Sequence, residues 1–278
     1  MVRKDSDHYF ENKLIVITGG TSGIGLALAT ELVNRNAKVI VLADKIEGVR
    51  RTVECLASNG APFAGYSCDI GVAESVADAS NTILAEHGVP DILINNAGFA
   101  IYRTLEQESP EEVERLISVN FAGAIRITKA FIGRMVTRRS GQIVNIASIA
   151  GVIALTPNGI YSAAKHGMVA WSQCLAAEVA RFGISVTVVC PGRVMSRFFD
   201  HETFQQRPHR METKLVVPMA KVVDGILDAV RQRSLIRFVP RYYGIIAWAL
   251  SAFGPLLQNR LNRLLRARVE DLYPTDSR

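Results

Sequence analysis

Short apolar runs rich in Val and Ile recur along the chain, with stretches of helical periodicity between them. The runs show no alternation of apolar and polar positions, which is typical of strands that helices cover on both faces. Seven strands are predicted, at residues 14–18, 38–43, 63–68, 91–95, 142–147, 184–190 and 236–239. Parallel strands joined by helices need right-handed crossovers. The pattern therefore predicts an α/β fold, a doubly wound parallel sheet with helices on both faces.

The composition is that of a globular protein, with 49% hydrophobic and 21% charged residues among 278. There is no internal repeat and no Pro/Gly/Ser-rich linker long enough to separate two domains. We expect a polar N-terminal extension at 1–12, a single domain at 13–240 and an apolar and basic helical tail at 241–278. The extension lacks the apolar stretch of a secretory signal, and the four cysteines form no Cys-x-x-Cys pair. A reducing compartment, the cytoplasm, is therefore predicted.

The net charge of +6 is concentrated near the C-terminus. Residues 231–268 contain eight arginines and no Asp, Glu or Lys. No helix-turn-helix, zinc-ligand or RNA-binding sheet signature accompanies this charge. Nucleic acid is therefore not expected as a partner.

The first strand runs into a glycine-rich turn, which a helix follows. The turn reads Thr18-Gly19-Gly20-Thr21-Ser22-Gly23-Ile24-Gly25. Glycines let a pyrophosphate approach the backbone, and a helix N-terminus offers unpaired N–H groups to phosphates. A dinucleotide-binding site is predicted at Thr18, Gly19, Thr21, Ser22, Gly23, Ile24 and Gly25. An ordinary strand-to-helix turn is the alternative.

Asp44 closes the second strand, nineteen residues after Gly25. A carboxylate here can accept hydrogen bonds from both ribose hydroxyls and repel a 2′-phosphate, which favours NAD over NADP. Lys45 follows directly and can bind cofactor and offset part of the repulsion. Asp44 can instead cap the next helix.

Tyr161 and Lys165 are four residues apart and so share one face of a helix. A phenol is a poor base at neutral pH, and a neighbouring ammonium lowers its pKa by favouring the phenolate. Ser148, at the end of the fifth strand, is placed to hydrogen-bond a substrate oxygen. These residues suit proton transfer during hydride transfer between an alcohol and a nicotinamide. Read alone, the Tyr-Lys spacing also fits a solvated surface pair.

Six motifs in order resemble the single-domain short-chain dehydrogenase/reductase family over residues 13–239. They are the glycine turn, Asn95-Asn96-Ala97-Gly98, Asn120, Ser148, Tyr161-Ser-Ala-Ala-Lys165 and Pro191-Gly192. The resemblance implies a Rossmann-type fold, a nicotinamide cofactor, no metal and a homodimer or homotetramer. It also implies a catalytic set of Asn120, Ser148, Tyr161 and Lys165. In that set Asn120 binds a water that relays protons to Lys165, and Lys165 holds the nicotinamide ribose.

Further cofactor contacts follow from the same resemblance. Asp69 is expected to bond the adenine amino group, with Ile70 beside the ring. Asn96, Ala97 and Gly98 are expected to line the adenosine side and brace the sheet. The segment after the sixth strand is expected to contact nicotinamide through Pro191, Gly192, Val194 and Ser196, with Ser196 where threonine is more usual.

Two loops are expected to choose the substrate, at 149–158 and 195–215. Their apolar residues can face a hydrophobic substrate or serve as ordinary packing; they are Val152, Ile153, Leu155, Met195, Phe198 and Phe199. His201 and His209 show no metal-ligand spacing, so no metal is predicted.

The tail contains an apolar segment at 244–257, which is too short to span a membrane. After it, leucines and arginines segregate to opposite sides of a helix at 257–266, as in helices that lie on anionic membranes. A helix that covers the substrate pocket or forms a subunit interface is the alternative.

The sequence thus predicts an NAD-dependent oxidoreductase acting on a lipophilic secondary alcohol or ketone, which is steroid-like, retinoid-like or long-chain. An NADPH-dependent carbonyl reductase is one alternative. A non-catalytic cofactor-binding scaffold is another, disfavoured by the intact Ser148, Tyr161 and Lys165.

Overall fold

The computed structural model describes residues 8–57, 63–194, 202–205, 216–250 and 252–253. Seven parallel strands form one sheet. They are β1 (Leu14–Thr18), β2 (Lys38–Ala43), β3 (Phe63–Ser67), β4 (Ile92–Asn95), β5 (Gly141–Ile146), β6 (Ile184–Pro191) and β7 (Ile236–Val239). The described helices that precede β7 are α1 (Gly23–Asn34), α2 (Ile46–Ala57), α3 (Ala73–Glu86), α4 (Pro110–Ile117), α5 (Gly123–Arg138), α6 (Gly159–Val179), α7 (Glu202–Gln205) and α8 (Met219–Arg231).

The strand order is β3-β2-β1-β4-β5-β6-β7. The chain therefore builds outward from β1 in one direction and then, from β4, in the other. A crevice forms at the carboxyl ends of the strands where the order reverses, between β1 and β4. The predicted doubly wound α/β sheet is confirmed, and every predicted strand boundary lies within one residue of the observed one.

The sheet separates two layers of buried apolar side chains. Successive residues of β1 point to opposite faces, so Ile15 and Ile17 pack with α1 and α8, whereas Val16 packs with α3 and α5. The absence of polar alternation in the strands follows from this burial on both faces. The layers hold the carboxyl edge of the sheet rigid.

One long helical stretch runs from Pro110 to Arg138, and by length and apolar composition alone it is able to cross a membrane. It consists of α4, a π-helical turn at Ser118–Ala122 and α5. The inner face of α5 is packed into the core through Ile127, Phe131 and Met135. The stretch is thus a core helix of this sheet.

After β7 the chain turns at Pro240 and forms a helix at residues 242–250, with residues 252–253 also helical. Gly244 lies against the ring of Phe238 in β7, where a Cβ atom would be 2.9 Å from that ring. The amphipathic segment predicted at 257–266 lies outside the described residues.

Candidate active site

The glycine turn after β1 has the geometry of a phosphate cradle. Gly19 has a φ of +64°, and a Cβ there would lie 2.8 Å from the Ala97 Cα. At Gly25 a Cβ would lie 2.1 Å from the Gly19 carbonyl oxygen. No side chain larger than hydrogen fits at either position, so backbone N–H groups can reach a phosphate directly.

Helix α1 opens toward this turn with its N-terminus free of acidic side chains. Gly23 is its first residue and Ser22 its N-cap, and the Ser22 side chain makes no capping hydrogen bond. The N-terminal N–H groups and the helix dipole together favour an anion. Of the other predicted turn residues, Thr21 lies near Gly48 of α2, and Ile24 packs against the core.

The ends of β1 and β4 are joined by hydrogen bonds. The buried Thr18 Oγ1 accepts from the N–H groups of Asn96 and Ala97, each at 3.0 Å. The Asn96 Nδ2 donates to the carbonyls of Thr18 at 3.0 Å and Gly19 at 3.1 Å. Asn96 thus braces the cofactor turn from the neighbouring strand.

Asp44 follows β2 at the same edge and is exposed. Its backbone carbonyl accepts from the Ser67 hydroxyl, while its carboxylate makes no hydrogen bond within the described residues. The N–H groups of Gly48 and Val49 bond to the Lys45 carbonyl, so Lys45 is the residue that precedes α2. The capping alternative for Asp44 therefore gains no support, and both side chains face solvent.

The Asp69 carboxylate forms hydrogen bonds and an ion pair with residues close to it in the fold. Arg115 binds both of its carboxylate oxygens, at 3.0 and 2.8 Å, and the Gly71 N–H donates to Oδ1 at 2.8 Å. Burial raises the pKa of Asp69, but the hydrogen bonds from Arg115 and Gly71 outweigh it and hold the pKa below its ordinary value. The next side chain, Ile70, is buried against Gly123. Only the backbone of Ile70 is therefore available beside a bound ring.

Ser148, Tyr161 and Lys165 converge past the end of β5. The Ser148 hydroxyl accepts from the Ala150 N–H at 3.1 Å and is hydrogen-bonded to the Tyr161 hydroxyl. Lys165, only 3% exposed, donates from Nζ to the Ile146 carbonyl at 3.0 Å. Its Nζ lies 5.7 Å from the centre of the Tyr161 ring. Helix α6 thus places both residues on one face, as their spacing predicts.

Burial controls the titration of this cluster. Burial raises the pKa of Tyr161 to about 12, against the lowering effect of the Ser148 hydrogen bond. Burial also lowers the pKa of Lys165 to about 8. Without cofactor, the protein therefore favours the protonated phenol of Tyr161 at neutral pH.

Asn120 lies in the π-helical turn between α4 and α5 and is fully buried. Its Nδ2 donates to the carbonyls of Phe99 at 2.9 Å and Leu116 at 3.0 Å, and its Oδ1 accepts from the Phe99 N–H at 3.2 Å. Gly98 lies close to both Asn120 and Lys165, since a Cβ on Gly98 would be 2.5 Å from Asn120 Oδ1 and 3.5 Å from Lys165 Nζ. Both amide donors and one lone pair of Oδ1 are used within the protein, which leaves the second lone pair of Oδ1 for a water.

The end of β6 and the residue after it make two contacts that the sequence did not predict. Gly192 accommodates Tyr243, whose ring would lie 2.4 Å from a Cβ on Gly192. Cys190 is buried, and its sulfur accepts from the Ser148 N–H. Pro191 ends β6, and Val194 is buried and bridges Val217.

Ser196 lies outside the described residues, as do Met195, Phe198 and Phe199. In the other predicted substrate loop, Val152 packs against the core, while Ile153 and Leu155 are partly exposed. Across the described ranges, no three His, Cys, Asp or Glu side chains are grouped so as to hold a metal ion.

Comparisons with known proteins agree with this geometry. The family model described as short chain dehydrogenase matches residues 13–207. The 3-oxoacyl-[acyl-carrier-protein] reductase FabG of Salmonella typhimurium is 37% identical over 183 residues, covering 66% of this chain and 74% of that protein. A solved short-chain dehydrogenase from Sphingobium yanoikuyae, in complex with NADPH, has a TM-score of 0.77 at 25% identity and covers 89% of this chain and 95% of that one.

The probable oxidoreductase EphD of Mycobacterium tuberculosis is 30% identical over 275 residues. The match covers 94% of this chain but only 46% of that longer protein. Because 94% of 278 residues is about 261, the similarity continues past residue 240 into the C-terminal tail.

Proposed function

The chain belongs to the short-chain dehydrogenase/reductase family of NAD(P)-dependent oxidoreductases, which act on CH–OH or carbonyl groups, and from this premise we propose its particular reaction. It transfers a hydride between NAD and a lipophilic secondary alcohol or ketone. The observation that carries the proposal is the cluster of Ser148, Tyr161 and the buried Lys165 beside the glycine cradle at the carboxyl edge of the sheet.

Each residue of the cluster has a distinct task in this proposal. The Ser148 hydroxyl, already held by the Ala150 N–H, positions the substrate oxygen. The Tyr161 hydroxyl donates a proton to that oxygen in reduction, and the Tyr161 phenolate accepts one from it in oxidation. The Lys165 ammonium holds the cofactor ribose and exchanges protons through a water at the Asn120 oxygen.

The cofactor fits the cradle made by Gly19 and Gly25, where only backbone can approach the phosphates. When bound, nicotinamide supplies or accepts the hydride, and its oxidised form brings a positive charge to the site. That charge favours the Tyr161 phenolate, whose pKa the protein alone raises to about 12 through burial. The proton transfer is therefore tied to the cofactor state.

The remaining predicted contacts complete the proposed cofactor site. Asp44 binds the adenosine ribose with Lys45 at its border, Asp69 and the Ile70 backbone meet the adenine, and the 96–98 segment lines the adenosine side. The turn residues Thr18, Thr21, Ser22, Gly23 and Ile24 surround the phosphates, while Pro191, Gly192, Val194 and Ser196 contact nicotinamide. NAD is favoured because the Asp44 carboxylate faces solvent with no hydrogen-bond partner among the described residues.

An NADPH-dependent carbonyl reductase is the second candidate. It is favoured by the solved relative in complex with NADPH and by the relative named as a 3-oxoacyl reductase. A carbonyl on an acyl chain is then the substrate class. The reduced-nicotinamide panel described below distinguishes the two by cofactor and by direction.

The test is turnover followed by the absorbance of reduced nicotinamide, with steroids, retinoids, long-chain secondary alcohols and sugars as substrates. The proposal expects activity with an apolar alcohol or ketone and NAD. Activity confined to sugars contradicts the lipophilic substrate, and activity with NADPH alone contradicts the choice of NAD.

Tyr161→Phe removes only the hydroxyl and is expected to lower kcat by at least about 10²-fold, because the acid/base group is lost. Cofactor binding, measured by fluorescence of the reduced nicotinamide, should remain near that of the unmodified protein. Retained turnover would remove Tyr161 from the acid/base role, whereas no turnover by the unmodified protein with any substrate would favour the scaffold alternative.

The proposed organisation of the chain is a polar extension at 1–12, one dehydrogenase domain at 13–240 and a helical tail at 241–278. The four cysteines are free, which suits a reducing compartment such as the cytoplasm. A homodimer or homotetramer is proposed, in line with the family, and light scattering tests it.

A further inference from the structure

The helix at residues 242–250 and 252–253 presents an unusual number of large apolar side chains to solvent. Their exposed fractions are 70% for Ile245, 66% for Trp248, 49% for Phe253, 46% for Tyr242 and 41% for Ile246. Isolated exposed apolar residues are ordinary, but five on one short helix form a patch that marks a contact surface. These five residues are the apolar helix face.

The opposite side of this helix packs against the rest of the protein. Ala247 is buried, and Gly244 lies against the ring of Phe238 in β7. Tyr242, Ile245 and Ile246 follow the i, i+3, i+4 spacing of one helix face. The helix is therefore anchored by one side and leaves the other available.

The charged residues that immediately precede and follow the apolar helix face in the sequence are all of one sign. Residues 241–268 contain five arginines, one before the face and four after it, and no Asp, Glu or Lys. Exposed apolar and aromatic residues in a stretch of sequence that is rich in arginine and free of acidic residues suit the headgroup region of an anionic bilayer. A two-fold contact between copies through this face would instead bring the exposed Arg241, the residue before the face, from both copies to one interface.

The position of the helix links it to the active-site edge. The sheet is parallel, so β7 ends at the edge where Ser148 follows β5 and Gly192 follows β6. The helix starts two residues after Pro240 and places Tyr243 directly on Gly192. A surface that binds the apolar helix face therefore lies next to the mouth of the candidate active site.

We propose that the apolar helix face docks on an anionic bilayer surface and turns the active-site edge toward the lipid. Delivery of a lipid-dissolved alcohol or ketone to that edge rests on the proposed function. Docking itself does not depend on it, and the experiments below read docking without turnover.

The first experiment is co-sedimentation of the full chain with vesicles of phosphatidylcholine, with and without phosphatidylserine. Binding should require phosphatidylserine and weaken as salt rises, because the arginines contribute. Ile245→Glu should lower the partition coefficient by on the order of tenfold, since a carboxylate then enters the interface. Leu235→Glu is the matched control, because Leu235 is 43% exposed at the opposite end of β7 and should bind as the unmodified protein does.

The second experiment uses the tryptophan of the apolar helix face as a depth probe. The chain has two tryptophans, and Trp171 packs against the core. Brominated acyl chains in phosphatidylserine-containing vesicles should quench Trp248, and Trp248→Phe should abolish the vesicle-dependent part of the quenching. Melting temperatures of the three variants establish that they are folded.

Absence of binding to anionic vesicles overturns the proposal, and so does equal binding by Ile245→Glu. A change from dimer to monomer in Ile245→Glu, without vesicle binding by the unmodified protein, overturns it in favour of a second copy on this face. Turnover of a water-soluble alcohol by Ile245→Glu should stay unchanged in the absence of vesicles. A failed substrate panel contradicts the proposed function and leaves the vesicle results to decide the docking.

Discussion

Lys165 carries an ammonium group into the interior of the protein, where burial lowers its pKa to about 8 from an ordinary value of 10.5. Between these values the unfolded chain binds more protons than the folded one, so stability rises with pH. Below pH 8 both states are protonated, and the folded state bears the full desolvation cost. The active-site lysine is therefore held at the expense of stability.

We expect Lys165→Met to raise the free energy of unfolding by about 2 kcal/mol at pH 7, because a buried charge is replaced by an apolar chain of similar length. The loss of the bond to the Ile146 carbonyl is included in this figure. Denaturant unfolding between pH 7 and pH 9.5 provides the measurement. The advantage should shrink as the pH rises above 8, and a difference independent of pH would argue against the titration described.

Arg115 binds both carboxylate oxygens of Asp69, the residue proposed to meet the adenine of the cofactor. Arg115→Ala should raise KM for NAD by about fivefold to tenfold and leave kcat nearly unchanged, because only uniform binding is lost. Steady-state kinetics with the cofactor varied give both constants. Arg35→Ala removes an ion pair with Glu31 on α1, far from the carboxyl edge, and should change neither. A fall in kcat with Arg115→Ala would assign it a different role.

At the residue scale, the sequence predicted which residues come together in the candidate site, but it did not predict which side chains surround each of them. The Tyr161 and Lys165 spacing placed both on one face of α6, but the raised pKa of Tyr161 depends on burial by distant segments. Cys190 was missed because its position beside Ser148 follows from the pairing of β5 with β6. The packing of the Ile70 side chain on Gly123, 53 positions further along the sequence, was also not predicted, and it leaves the Ile70 backbone as the part proposed to lie beside the adenine.

At the scale of the element, the glycine turn and α1 behave as one unit whose geometry excludes side chains. Gly25→Ala places a Cβ 2.1 Å from the Gly19 carbonyl oxygen, so the turn must shift. We expect the affinity for NAD to fall by about 100-fold or more, because the phosphates are held by this backbone. Calorimetric titration with NAD measures the change.

Gly133→Ala is the control for that substitution. Gly133 lies in α5 with open space around the new Cβ, and alanine there should raise the free energy of unfolding by about 0.5–1 kcal/mol. Its affinity for NAD should not change. Equal losses in the two variants would show that the effect of Gly25→Ala is a general one on folding.

The strands were predictable because burial on both faces leaves an unbroken apolar run, and such runs have sharp ends. The π-helical turn at Ser118–Ala122, which holds Asn120, was not predicted. That turn depends on hydrogen bonds from Asn120 to Phe99 and Leu116, and the Phe99 bonds join segments 21 residues apart. The periodicity of apolar residues in the sequence does not reveal these hydrogen bonds.

For the whole molecule, the proposed cofactor site lies at the crevice between β1 and β4, where the two halves of the sheet meet. A ligand that binds only the folded state stabilises it by about 2.7 kcal/mol at 100 times its Kd, or roughly 5–10 °C in a domain of this size. We expect NAD to raise the melting temperature by this amount and NADP to raise it less, because Asp44 repels the 2′-phosphate. Thermal shift with both cofactors measures it, and a larger shift with NADP would reverse the assignment.

The order of the strands also separates the residue expected to set cofactor preference from the residue expected to position the substrate. Asp44 follows β2 and Ser148 follows β5, with β1 and β4 between them, which amounts to about 14 Å across the sheet. Substitutions that far apart, without shared partners, usually have additive free energies. Cofactor preference and substrate chemistry in this protein are therefore expected to behave as separate modules, so that variants selected for one can be combined with variants selected for the other.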